Sequence, residues 1–156
     1  MTHFASFKSA AQLHFGIVTD AGAISMNAAF PQFLSLQDVV VAGALKDLAK
    51  AAVGREIDFK LDDIQYELPV VHPEKIICVG VNFPERNAEY KDGVEAPSNM
   101  SLFPRFVRSF TSANTPLLRP PESEKLDYEG EIAIVIGKQG RRIPHDQAYD
   151  LSLIHI

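Results

Sequence analysis

Residues 125–140 read KLDYEGEIAIVIGKQG, and two glutamates one residue apart, Glu129 and Glu131, stand just ahead of an apolar run. From Ile132 to Ile136 the residues are apolar and mostly β-branched, and Gly137 stops them, which is the pattern of a buried strand. Side chains of a strand alternate between faces, so Glu129 and Glu131 point the same way. Two like charges so placed repel, and either water screens them or a cation sits between them. Carboxylate oxygens suit a hard divalent cation such as Mg²⁺ or Mn²⁺, but two alone rarely suffice. Asp127 shares their face, as a third ligand or as the turn residue before the strand.

A second constellation lies in NFPERNAEYK. Pro84 suits the first turn of a short helix and Gly93 its end, and Arg86 shares a helix face with both Glu89 and Tyr90. These residues form either a surface ion pair or the rim of a pocket after the apolar strand 76–81. The five histidines offer less: none shows metal-ligand spacing or a neighbouring nucleophile. Gly137-Lys138 follows a strand without the spacing of a phosphate loop. The single cysteine, Cys78, lies inside IICVGV, cannot form an internal disulfide and reads as a packed thiol.

The elements that must position these residues fall into two segments. The 156 residues are 46% hydrophobic and 22% charged, with a formal charge of −5 and no basic stripe, so the reading is a globular protein that binds no nucleic acid. The N-terminus lacks a continuous apolar stretch and no run reaches about 18 apolar residues, which points to a soluble, cytoplasmic protein that enters no membrane. Residues 1–70 form a small N-terminal domain. In it, Leu13–Thr19, the turn Asp20-Ala21-Gly22 and Ala23–Met26 read as a hairpin. A helical pair follows, with a capping box at Ser35 and Asp38, an apolar face of Leu36, Val39 and Val40, and an interruption at Gly43. The second helix carries Leu45, Leu48, Ala49, Ala52 and Val53, with Gly54 as its stop. The Asp62-Asp63 pair reads as a solvated turn. Residues 71–156 form a second domain, opened by the strand KIICVGV. Within it, 94–128 is a long Pro-, Ser- and Asn-rich connection of the kind that often makes a lid or binding loop, with a short apolar piece at Leu102-Phe103. A helix start at IPHDQAYD follows. The chain then stops at DLSLIHI, with little sequence left to cover so apolar a strand, and is expected to be truncated.

Residues 75–148 resemble the first part of the catalytic domain of the fumarylacetoacetate hydrolase family. The resemblance is carried by KIICVGVNF, by LRPPESEKLDYEGEIAIVIGKQGRRIP and by the helix start after it, with LDYEGE the most specific piece. Residues 1–70 are similar to the small N-terminal domain of many bacterial members. The resemblance implies an α+β protein: an incomplete mixed β-sandwich roll preceded by a small α+β domain, dimeric when intact. It implies Mg²⁺ or Mn²⁺, with Ca²⁺ possible, held by Glu129 and Glu131 as the two acids of an E-x-E motif, and leaves Asp127 as a turn residue. The substrate implied is a small 2-oxo or diketo acid. The chemistry implied is hydrolytic carbon–carbon cleavage of an acylpyruvate through a metal-stabilised enolate, or else decarboxylation, isomerisation or hydration.

Departures from the family pattern qualify the reaction. Hydrolytic members carry a histidine–glutamate pair after an Asn-Tyr step. Here Asn82 and Glu89 keep their places, Phe83 stands for the tyrosine and Arg86 for the histidine. Arginine stays protonated, with a pKa above about 12, and cannot take a proton from water. Either Arg86 holds a substrate carboxylate or orients Glu89 as the sole base, or the reaction is a decarboxylation or tautomerisation. Arg105 stands where many relatives have a lysine and contacts the substrate carboxylate, or is a solvated loop cation. The family's third carboxylate ligand lies downstream of residue 150, and LSLIHI does not match the strand expected there. The alternative to an enzyme is an inactive fragment or an interaction module on the same scaffold.

Overall fold

The computed structural model describes residues 2–80 and 99–155. Two compact units are distinguished, one of residues 1–70 and 111–156, the other of residues 71–110. Every strand pair among the described residues is antiparallel, and no helix there is long and apolar enough to cross a membrane.

The first unit is built on a four-stranded sheet of β1 (His3–Ser9), β2 (Gln12–Thr19), β3 (Gly22–Ser25) and β4 (Gln65–Glu67), in the order β3-β2-β1-β4. The β2–β3 hairpin follows the alternation of LHFGIVTDAGAIS. Gly22 takes φ of +148°, and a Cβ there would collide with Ile57 and the Phe59 carbonyl, so only glycine fits the turn. β1 and β4 carry no comparable sequence signal. The β1–β2 turn is Ala10-Ala11, both at positive φ (48° and 66°), which is hairpin geometry usually written with Asn-Gly.

The two faces of this sheet differ. Phe15 and Ile17 of β2 and Ile24 of β3 join Met26 and pack on α1 (Leu36–Val41) and α2 (Leu45–Ala51) through Leu36, Val39, Leu48 and Ala52. The capping box forms: Ser35 Oγ accepts from the Asp38 N–H at 3.2 Å and the Asp38 carboxylate from the Ser35 N–H at 2.9 Å. The apolar stripe of α2 is shorter than the sequence predicts. Val53 lies past the C-cap Ala52 and is 82% exposed, because the helix has already ended where its face would turn inward. On the opposite sheet face Phe7 and His14, cross-strand partners, pack with Phe59.

The remainder of this unit corrects the buried strand read at 132–136. Only Ile134–Ile136 form a strand, β7, and it pairs with β8 (Ser152–His155), which the chain's last residues supply. Ile132, Ile134 and Ile136 are 80%, 55% and 65% exposed. A two-stranded ladder satisfies one edge of each strand and covers neither face, so the apolar run stays open. A 3₁₀ helix (His145–Leu151) stands where the helix start is read, and Gly137 N–H donates to the Leu151 carbonyl at 2.8 Å.

The second unit holds β5 (Ile77–Gly80) paired with β6 (Ser101–Pro104). Here too the apolar strand is not buried: Ile77 and Val79 are exposed and Cys78 half-buried, a single partner strand again giving no cover. Leu102 and Phe103, read within a structureless connection, lie on β6, and a 3₁₀ turn (Val107–Ser109) follows.

Candidate active-site residues

In the first unit, Glu129 and Glu131 lie in an irregular segment that precedes β7, not on the strand itself, and both are exposed. The alternation that places them on one face therefore has no ladder to enforce it. Asp127 acts locally: its Oδ1 accepts from the Tyr128 N–H at 2.8 Å, the work of a turn residue. A hard divalent cation takes about six oxygen ligands, and Mg²⁺ is usually held by one or two carboxylates completed by other donors. Among the described residues no three His, Cys, Asp or Glu side chains gather where they could hold an ion. The two glutamates alone do not complete a metal site.

In the second unit, Arg105 directly follows β6. Its N–H donates to the Ile76 carbonyl at 3.0 Å, and its guanidinium carbon stands 5.8 Å from the centroid of the Phe103 ring. The main chain is thus fixed while the charged head is solvent-facing. Asn82, Phe83, Arg86, Glu89 and Tyr90 lie outside the described residues.

His14 forms a polar cluster that the sequence reading leaves unpartnered. Its Nδ1 lies 3.0 Å from Ser25 Oγ, and Ser25 Oγ lies 3.2 Å from Asn27 Oδ1. Asn27 Oδ1 also accepts from the Phe15 N–H, while its Nδ2 donates to the Leu13 carbonyl, so the amide orientation is set. Ser25 must then give its one hydrogen to Asn27, and His14 Nδ1 donates to Ser25. That order excludes a serine nucleophile activated by His14, whose proton-accepting nitrogen faces away from the hydroxyl. Burial lowers the His14 pKa below its ordinary value, and the charge of Asp58 opposes the shift in part. No local spacing signals this cluster, since Ser25 lies 11 residues away on the next strand.

Comparison with known proteins adds what the geometry leaves open. The family model for the fumarylacetoacetate (FAA) hydrolase C-terminal region matches residues 75–152. The mitochondrial oxaloacetate tautomerase fahd2 of Xenopus laevis is 38% identical over 82 residues, which are 53% of this chain and 25% of that protein. Human mitochondrial oxaloacetate tautomerase FAHD2A is 29% identical over 140 residues, 83% of this chain and 42% of that protein. Among solved structures, a fumarylacetoacetate hydrolase from psychrophilic Exiguobacterium antarcticum superposes with a TM-score of 0.72 at 24% identity, over 99% of this chain and 54% of that one. The chain thus shares that protein's fold while spanning about half its length, and less than half the length of these two tautomerases.

Proposed function

The chain belongs to the fumarylacetoacetate hydrolase family, and from that premise we propose that the whole protein is an enzyme acting on 2-oxo acids as a keto–enol tautomerase of an oxaloacetate-like substrate. The observation that carries this reading is the likeness to oxaloacetate tautomerases, 38% over 82 residues in the Xenopus protein. The residue chemistry agrees. Tautomerisation moves a proton between the carbon beside the keto group and the keto oxygen, and no water need be activated. Hydrolysis needs a base for water, and Arg86 occupies the place of the family's histidine without being able to serve as one.

In this proposal Glu89 takes and returns the carbon-bound proton. Arg86 orients Glu89 or holds a substrate carboxylate, and Arg105 and Asn82 contact the substrate. Glu129 and Glu131 contribute two oxygen ligands toward Mg²⁺, Mn²⁺ or Ca²⁺, and further donors are needed beside them. The whole protein as a homodimer belongs to the same proposal.

The test is to incubate the full-length protein with enol oxaloacetate and follow loss of the enol absorbance, with acylpyruvates assayed in parallel for released pyruvate. Faster ketonisation without acylpyruvate cleavage is expected, and Glu89→Gln should remove most of it. Acylpyruvate cleavage without an effect on ketonisation would instead establish the hydrolytic reading. Release of carbon dioxide from oxaloacetate would establish decarboxylation.

A further inference from the structure

We propose that Phe103 is a positioning residue for Arg105, holding the guanidinium so that its N–H groups receive the carboxylate of a 2-oxo acid; this rests on the reading of Arg105 as a substrate contact. Residues two apart on a strand point to the same side, and Arg105 follows Phe103 at that spacing across Pro104. The guanidinium carbon stands 5.8 Å from the ring centroid, within reach of a cation–π attraction. Both partners are anchored from below. Phe103 stands opposite Cys78 in the β5–β6 register, with its ring edge against Gly80. The Arg105 main chain is tied to Ile76 one step beyond the Ile77–Pro104 pair.

The geometry of the two groups makes this contact compatible with binding. The guanidinium donors lie in the plane of the group, so a ring that takes one face leaves the in-plane fork free for a carboxylate. An arginine already held over a ring gives up less rotamer freedom when the ligand arrives. The effect is therefore expected in affinity and not in the chemical step.

The test uses the full-length protein and oxaloacetate. Phe103→Leu keeps an apolar side chain against Gly80 but removes the π face. It should raise KM by about two- to fivefold with kcat unchanged, and Phe103→Trp should restore the parent value. Arg105→Gln should raise KM further, and adding Phe103→Leu to it should change nothing more. In parallel, the Arg105 side-chain NMR signals should show a ring-current shift that Phe103→Leu removes and Phe103→Trp retains.

The outcomes separate the two readings. If Arg105→Gln leaves KM unchanged, Arg105 is no substrate contact and the proposal falls with that assignment, even with the ring-current shift present. If Arg105→Gln raises KM but Phe103→Leu does not, or Phe103→Leu still acts in the Arg105→Gln background, Arg105 keeps its role and Phe103 loses its own. A missing ring-current shift, or a fall in kcat alone, overturns the proposal as well.

Discussion

His14 shows how one side chain ties local chemistry to the stability of its sheet. The residue is 7% exposed, and its ring is stacked on Phe7 at 5.3 Å and tilted toward Phe59 at 4.9 Å. The groups facing it are these two rings, Ser25 and the carboxylate of Asp58, which itself accepts from the Ser25 N–H at 2.8 Å and lies 3.9 Å from Arg55. The neutral ring satisfies the Ser25–Asn27 cluster, and a second proton must enter at the other nitrogen against the loss of hydration. The unfolded chain, with an ordinary histidine near 6.5, therefore binds more protons than the folded one as pH falls. Stability of the four-stranded sheet should be fully present above that value and decline below it toward the lowered native pKa. Urea unfolding at pH 7.5 and at about pH 5 measures the decline, and His14→Gln, which keeps a donor but cannot titrate, should flatten it. The acidic pair makes a different test. Mn²⁺ titrated calorimetrically into the full-length protein should bind, and Glu129→Gln with Glu131→Gln should abolish that binding; unchanged affinity would remove both from the ligand set. The glutamates stand out in the sequence because their spacing is a signal within three residues, whereas the strand expected to carry them begins only at Ile134. The contact of Phe103 with Arg105 becomes visible only once SLFP is known to be a strand with Arg105 directly after it, and the Ser25 partner of His14 is a product of the fold.

At the scale of elements, the legible pieces were those whose chemistry is written in the turn or cap itself. Asp20-Ala21-Gly22 announces the β2–β3 hairpin and Ser35 with Asp38 announces α1, and both form as read. β1 escapes because its turn is Ala10-Ala11, which places two Cβ-bearing residues at φ of 48° and 66° without the sequence warning that asparagine or glycine gives. The left-handed region costs a non-glycine residue about 1–2 kcal/mol, and the surrounding ladder of seven residue pairs outweighs it. Ala10→Asn with Ala11→Gly should therefore raise stability by about 1 kcal/mol, read as a shift of the urea midpoint at unchanged slope. No gain would mean that the backbone of this turn differs from a two-residue hairpin. β5 and β7 fail in the other direction. Their apolar runs predict burial, because a strand so rich in isoleucine and valine normally has both faces covered. Among the described residues each has one partner strand, and no residue of either is fully buried.

For the whole molecule, that contrast sets the expected behaviour. The sheet of β1–β4 has a closed core with α1 and α2, whereas β7 leaves Ile134 and Ile136 more than half exposed, with Ile132 ahead of them more exposed still. Burying such side chains is worth roughly 25 cal/mol per Å² of apolar surface, and each strand of a two-stranded ladder keeps one edge of unpaired backbone groups. A net charge of −5 on 156 residues opposes association only weakly at physiological salt, where exposed charges are screened beyond about 8 Å. The 156-residue chain should therefore self-associate in a concentration-dependent way through the apolar segment around β7. Sedimentation velocity over a dilution series measures this. Ile132→Lys with Ile134→Lys, which adds two charges where water already reaches, should shift the distribution toward monomer without lowering the urea midpoint of the β1–β4 core. Association that survives both lysines would place the contact elsewhere, with exposed Leu102 and Phe106 the next positions to change. A chain that stays monomeric throughout would show that the open isoleucines are covered by a route the described residues do not contain.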